Sequence, residues 1–346
     1  MKKITKLVAL LLALVFAFAM AACGKNNKGE ESTTTTTAPQ TTPLNLEILR
    51  EQDEDMMNNY SLIAVNPNAN WVDANGNPVD GVSINTTGAD ALINWILSDA
   101  GKTLITEYGK DTFGVALFAL KDDAPFSTAA IPQATEETKT IRLSTTTSVN
   151  DSGLLDYMLP KFEETYGYKV EVTSAGTGKA IANAQQGNAD LLLVHSKDKE
   201  QPFVDAGYAR LVDGIGSPNG EASARLTFMY NYFVLVGPSS DPAGVKNAAN
   251  TLDAFKAIAD SKSKFISRGD GSGTHTKELK LWPAELGITE EPASFANYTD
   301  WYISANQGMG KCIAMANEQG AYVLTDKATF LTAQKNFSEF LANLDA

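Results

Sequence analysis

The chain has 346 residues, 43% hydrophobic and 20% charged, an ordinary globular composition with length enough for two domains. Its 28 basic and 41 acidic residues give a formal charge of −13, which argues against nucleic acid as a partner; any anion it binds must be held by locally aimed donors. Its 2 histidines, His195 and His275, fall in no ligand pattern, so no metal cation site is expected.

The first element in chain order is an export signal. Lys2, Lys3 and Lys6 precede an unbroken apolar run from Leu7 to Met20, too short to span a bilayer comfortably, and Ala21-Ala22-Cys23 follows. Small residues before a lone cysteine resemble the bacterial lipoprotein signal, with Met20 in place of the usual leucine. Residues 1–22 are therefore read as cleaved and Cys23 as lipidated; the alternative is a plain secretory peptide with an incidental cysteine. Loss of the three lysines leaves 25 basic against 41 acidic residues, a net −16. Residues 23–43, with five consecutive threonines from Thr33 to Thr37 and no apolar periodicity, make a disordered tether spanning roughly 25 Å. With Cys23 carrying lipid, Cys312 has no disulfide partner and reads as a small buried hydrophobe among Ile313, Met315 and Ala316.

The body begins near Leu46. Leu46–Leu49 and Tyr60–Val65 are strand-like, and residues 66–81 are a loop rich in Asn, Gly and Pro. Thr86 or Thr87 caps a helix with Ala91, Leu92, Trp95 and Ile96 on one face, which Gly101 is expected to break. Residues 121–139 have the polar, proline-containing composition of a linker. The chain then starts afresh. Strand Ile141–Leu143 enters the hydroxyl loop Ser144-Thr145-Thr146-Thr147-Ser148, and a helix carrying Leu154, Leu155, Met158 and Phe162 follows, with a kink expected at Pro160. Strand Lys169–Val172, the turn Gly176-Thr177-Gly178 with its helix, and strand Ala189–Val194 complete the run. This alternation implies an α/β fold with a parallel sheet, in which ligands bind beyond the carboxyl ends of the strands. The hydroxyl loop and the Gly-Thr-Gly turn would both lie there, unless their hydroxyls merely cap helices. Arg225 to Val236 is too long for one buried strand and suits a crossing between two domains.

Ser267-Arg268-Gly269-Asp270-Gly271-Ser272-Gly273-Thr274-His275 follows a short strand and runs into a helix. Its glycines allow several N–H groups to be aimed at one point, Arg268 adds a planar fork of donors, and Ser272 and Thr274 add hydroxyls. This is an anion cradle, or else a glycine turn with a capping serine and a surface arginine. Trp301 and Tyr302 read as core. Ser272 lacks the glycine elbow of hydrolases, because Asp270 and Thr274 occupy the flanking glycine positions; Gly178-Lys179 fails the phosphate-loop pattern, since Thr173 and Ala180 stand at its ends. Binding rather than catalysis is expected.

Thr145-Thr146-Thr147-Ser148 with Asp151-Ser-Gly-Leu154, Gly176-Thr-Gly178, Leu192-Leu-Val-His-Ser196, Ser267 to His275, Gln307-Gly-Met-Gly310 and Gly320-Ala-Tyr-Val-Leu-Thr-Asp326 resemble the tungstate-binding lipoproteins of bacterial ABC importers. The match covers nearly all of 140–346. It implies the two-lobed fold of the periplasmic-binding-protein superfamily, each lobe a mainly parallel sheet flanked by helices, with the ligand in a hinge cleft. It further implies Thr145, Thr146, Thr147, Ser148, Thr177 and Gly178 facing Arg268, Ser272, Gly273 and Thr274 around tungstate, an ABC permease and its ATPase as partners, no cofactor, a monomer, and a lipid-anchored place outside the cytoplasmic membrane. Molybdate remains open, being nearly isosteric, as do a phosphate receptor and a non-transport surface lipoprotein or hydrolase. Hydrogen phosphate must donate a proton to a buried acceptor; the strand end reads Val194-His195-Ser196 instead, and Asp270, which stays open as an acceptor, is expected to orient Arg268 or pin the turn. The family's closing strands, including Tyr60-Ser-Leu-Ile-Ala-Val-Asn-Pro67, stand at the front of this chain. The resemblance thus implies circular permutation, with lobe one in 59–120 and 140–231, lobe two in 44–58 and 232–346, and 121–139 joining the ancestral termini; the alternative is a chance fusion of a fragment to a truncated receptor.

Overall fold

The computed structural model describes residues 43–73 and 75–344; the export signal, Cys23 and the tether up to residue 42 lie outside them. Nine strands organise the site: β1 (Leu46–Arg50), β2 (Met57–Val65), β3 (Thr140–Thr146), β4 (Lys169–Ala175), β5 (Leu191–Val194), β6 (Leu226–Pro238), β7 (Phe265–Ser267), β8 (Tyr302–Ser304) and β9 (Tyr322–Asp326). They form one mixed sheet in the order β8-β7-β9-β6-β2-β5-β3-β4, with β1 also paired to β6. β3 runs parallel to β4 and β5, and β7 parallel to β8 and β9, as βαβ crossovers require. The antiparallel members are β1, β2 and β6.

β6 explains the long apolar run. Its residues 226–232 pair with β2 and residues 233–236 with β9, so a single 13-residue strand serves both halves of the sheet. Helices cover both faces, and period-two alternation distributes the core. On β2, Leu62 and Ala64 enter a cluster with α1 (Thr86–Leu97) and α4 (Leu154–Tyr166), while Ile63 and Val65 enter another with α5 (Thr177–Gln185) and α6 (Lys197–Asp205). On β6, Phe233 and Leu235 face the aromatic core of Phe255, Phe265, Trp282 and Trp301 beneath α7 (Thr251–Ser261); Val234 and Val236 face α9 (Met309–Gln319), α10 (Lys327–Lys335) and α11 (Phe337–Asn343).

The break expected at Gly101 comes earlier, where the Ser98 side chain caps α2 (Asp99–Glu107). α4 continues on both sides of Pro160. Residues 121–139 pack instead of dangling: Phe126–Ser127 pairs with Ile215–Gly216, and the buried Ser127 hydroxyl donates to Asn94 Oδ1 at 2.6 Å. Cys312 is fully buried on α9.

Candidate functional site

The cradle begins where β7 ends. Gly269 and Gly271 have φ of 62° and 66°, the left-handed region that a side chain disfavours, and these two reversals fold 268–272 into a tight loop before the short helix α8 (Gly273–Leu279). Ser272 caps that helix, its Oγ accepting from the His275 amide at 3.1 Å. Asp270 does both things expected of it. Its Oδ2 accepts from Arg268 Nη2 at 2.6 Å and its Oδ1 from the Ser272 amide at 3.1 Å, so both oxygens are engaged. Burial alone would raise the Asp270 carboxyl, but the Arg268 guanidinium and the Ser272 donors outweigh it and hold the group below its ordinary value.

Arg268 is 1% exposed, yet its Nε and Nη1 have no hydrogen-bond partner among the described residues, and neither has the buried Thr274 Oγ1. A buried guanidinium with two unused donors carries a desolvation cost that protein contacts leave uncompensated. Those donors call for an oxyanion.

The other side of the site comes from the first half of the sheet. Thr147, which opens α3 (Thr147–Asp151) beyond β3, accepts from Arg268 Nη2 at 3.0 Å, and Thr177 Oγ1 at the start of α5 accepts from the Gly273 amide at 3.2 Å. Residues more than ninety apart in sequence therefore meet on one guanidinium and one helix start. Thr146 caps α3 by accepting from the Val149 amide at 3.4 Å. Thr145 Oγ1 donates to the Leu193 carbonyl at 2.7 Å, so its hydroxyl proton is committed to the sheet. Ser148 Oγ lies 3.2 Å from His195 Nε2. His195 is neutral, since burial and the Arg268 charge push its ring down to about 3.

A sequence profile described as a PBP superfamily domain matches residues 132–344. The chain belongs to that superfamily. Tungstate-binding protein TupA of Peptoclostridium acidaminophilum is 45% identical over 202 residues, 58% of this chain and 63% of that protein; its namesake in Campylobacter jejuni is 33% identical over 189 residues, 55% of this chain and 62% of that protein. The chain thus spans less than two thirds of these curated relatives. The crystal structure of the tungstate ABC transporter from Geobacter sulfurreducens is 40% identical to it, with a TM-score of 0.45 over 56% of this chain and 75% of that one.

In this PBP-superfamily chain the structure brings together Thr147, Thr177, Arg268, Ser272 and Gly273, with Thr274 beside them, while Thr145, Thr146 and Ser148 contact Leu193, Val149 and His195. Gly178 faces the Gly271 carbonyl, with room for ordinary contact. Sequence reasoning left out Gly176, where a methyl group would come within 3.1 Å of Asp270 Oδ2 and 3.3 Å of Ser272 Cβ, and gave His195 no positive role. The signal for both was at hand: each lies at the end of a strand that points at the cleft.

Proposed function

We propose that this chain is the extracytoplasmic receptor of an ABC importer, capturing tungstate as a tetrahedral oxyanion between its two lobes and handing it to the permease. The observation that carries this reading is Arg268, fully buried with Nε and Nη1 unpartnered among the described residues and flanked by Ser272, Gly273, Thr274 and Thr147. Arg268 Nε and Nη1 and the Thr274 hydroxyl can donate hydrogen bonds, and the neighbouring carboxylate, Asp270, already accepts one at each oxygen. Tungstate and molybdate carry no proton at neutral pH and only accept, whereas hydrogen phosphate must also donate. The names of the relatives favour tungstate.

The same proposal takes 59–120 with 140–231 as one lobe and 44–58 with 232–346 as the other, in circularly permuted order. The profile match begins at residue 132, yet β2, which precedes it, lies in the middle of the sheet between β6 and β5, and β1 pairs with β6 at 235–238. Residues 132–344 alone would lack a central strand, which is what a permutation produces and an appended domain does not. Cys23 would carry the lipid that holds this body at the outer face of the cytoplasmic membrane.

Titration calorimetry of residues 44–346 with tungstate, molybdate, sulfate and phosphate tests the reading. One tungstate per chain is expected, with molybdate close to it and phosphate weaker on the order of 100-fold, since it leaves a proton without an acceptor. Binding to none of the four, or tightest binding to phosphate, would overturn it.

A further inference from the structure

His195 lies where the hydroxyl loop, the cradle and the strands crossing the sheet meet. It follows β5 and is 6% exposed, stacked on Tyr60 with ring centroids 5.1 Å apart and tilted against Phe233 at 6.1 Å. Its Nδ1 is 2.8 Å from Asn58 Oδ1 and its Nε2 is 3.2 Å from Ser148 Oγ. Asn58 donates through Nδ2 to Tyr60 Oη at 2.7 Å and to Asn231 Oδ1 at 2.9 Å, so its carbonyl oxygen is the atom turned to the ring. The ring hydrogen therefore sits on Nδ1, and the bare Nε2 accepts the Ser148 hydroxyl proton.

What this network joins is specific. Asn58 and Asn231 are register partners on β2 and β6, two residues before β6 changes its partner from β2 to β9 at Phe233. On the cradle side, a methyl group at Gly273 would come within 2.9 Å of the His195 Nδ1 and Cε1 and 3.0 Å of its carbonyl oxygen, so the first residue of α8 rests directly on this histidine. One side chain thus touches the crossing strands, the loop that presents Thr147 and Ser148, and the helix that presents Gly273 and Thr274.

We infer that His195 is a positioning residue for the oxyanion site, setting the 144–148 loop against the cradle by bridging Ser148 to Asn58. The inference rests on the oxyanion reading above. Ser148 gives its only hydroxyl proton to His195. An aromatic ring without nitrogens at 195 would fill the same space but leave the Ser148 hydroxyl and the Asn58 carbonyl buried without partners.

Tungstate calorimetry and thermal melts of the parent, His195→Phe, His195→Gln, Ser148→Ala and the His195→Phe/Ser148→Ala pair test it. His195→Phe is expected to weaken binding on the order of 10-fold, the cost of orphaning buried polar groups. His195→Gln, which offers one N–H and one carbonyl, is expected to stay within about threefold of the parent, because both bonds are restored. If His195 acts through Ser148, the pair is expected to bind no more weakly than His195→Phe alone. Should His195→Phe not fold, His195→Asn replaces it, too short to reach both partners and expected to show the same loss. Parental affinity in the Phe or Asn variant, a folded Gln variant as weak as they are, or losses that multiply in the pair would each overturn the inference. A parent that binds no oxyanion would instead overturn the reading beneath it.

Discussion

Two of the arginine–aspartate pairs among the described residues, Arg142–Asp190 and Arg268–Asp270, are built differently. Arg142 is saturated: Nε and Nη2 donate to the fully buried Asp190 at 3.2 and 2.6 Å, Nη1 to the Gly187 carbonyl at 2.9 Å and Nη2 again to the Ser83 carbonyl at 2.7 Å. Asp190 also accepts from the amides of Asn85 and Arg142, at 2.9 and 2.7 Å. Arg268 is more deeply buried, yet only its Nη2 is used, by Thr147 and Asp270. Burial alone does not distinguish a structural arginine from a binding one. On the oxyanion reading the count of satisfied donors does, because a ligand can offset the cost of an unmatched buried donor.

Exchanging the two roles would break that comparison. Arg268→Ala is expected to weaken tungstate binding on the order of 1000-fold while changing unfolding free energy by no more than about 1 kcal/mol, because loss of the Asp270 bond is offset by removing buried nitrogens that have no partner among the described residues. Calorimetry paired with urea melts checks both halves, and an Arg268→Ala protein that binds as tightly as the parent would remove Arg268 from the site. Asp190→Ala is expected to do the reverse. It leaves the Arg142 guanidinium and two amides without their acceptor, a loss of about 3 kcal/mol in stability, with tungstate affinity within about threefold in the folded fraction.

Glu278 sharpens the comparison, being a buried acid with no arginine at all. It lies on α8, where Trp282 Nε1 and Tyr302 Oη each donate to its Oε1 at 2.9 Å. Burial pushes its carboxyl from 4.5 up to about 7. A folded value raised above the unfolded one means that the folded protein holds the proton more tightly, so the stability it contributes is fully present below pH 4.5 and lost as pH rises to about 7. Glu278→Gln keeps the carbonyl that both donors use and removes the titration. It is expected to flatten the fall in stability between pH 5 and pH 7, worth up to about 3 kcal/mol in the parent, which melts across that range would show. An unchanged slope would place the titration elsewhere.

The fold was largely legible in the sequence because its signals are local. The unbroken apolar runs Leu62–Val65 and Leu191–Val194, the helix face of Ala91, Leu92 and Trp95, and the overlong run at 225–236 need no partner to be recognised. The cradle was legible for the same reason, since Gly269, Gly271 and a capping Ser272 declare a tight turn before a helix. Which hydroxyls remain available was not legible. Thr145 gives its proton to Leu193, and Ser148 contacts His195, across separations of 48 and 47 residues that no local pattern encodes. Residues 121–139 look like a linker by composition, yet Ser127 finds Asn94 and the Ala134 amide finds the Tyr166 carbonyl at 2.8 Å. Polar composition predicts exposure only where no distant partner exists.

The smallest expected effect concerns the order of the chain, and here the saturated pair has a part. Arg142 reaches Ser83, and Asn85 donates to the Thr140 carbonyl at 2.7 Å, so the segment before the 121–139 connection is stitched to the segment after it by bonds independent of that connection. The two ends of the described chain meet the same helix. Asn317 on α9 donates to the Pro43 carbonyl at 3.0 Å, and a methyl group on Gly310 of α9 would strike Leu344. A chain opened between Ala130 and Ile131 and closed by a short linker from residue 346 to residue 43 should therefore fold to the same sheet. Loop-closure entropy changes only slowly with connection length, so a stability change of about 1 kcal/mol and a tungstate affinity within about threefold are expected. Urea melts and calorimetry on the reopened protein measure both. Failure to fold would show that residues 121–139 do more than join two ends; parental binding would show that the site depends on which strands meet and not on the order in which the chain visits them.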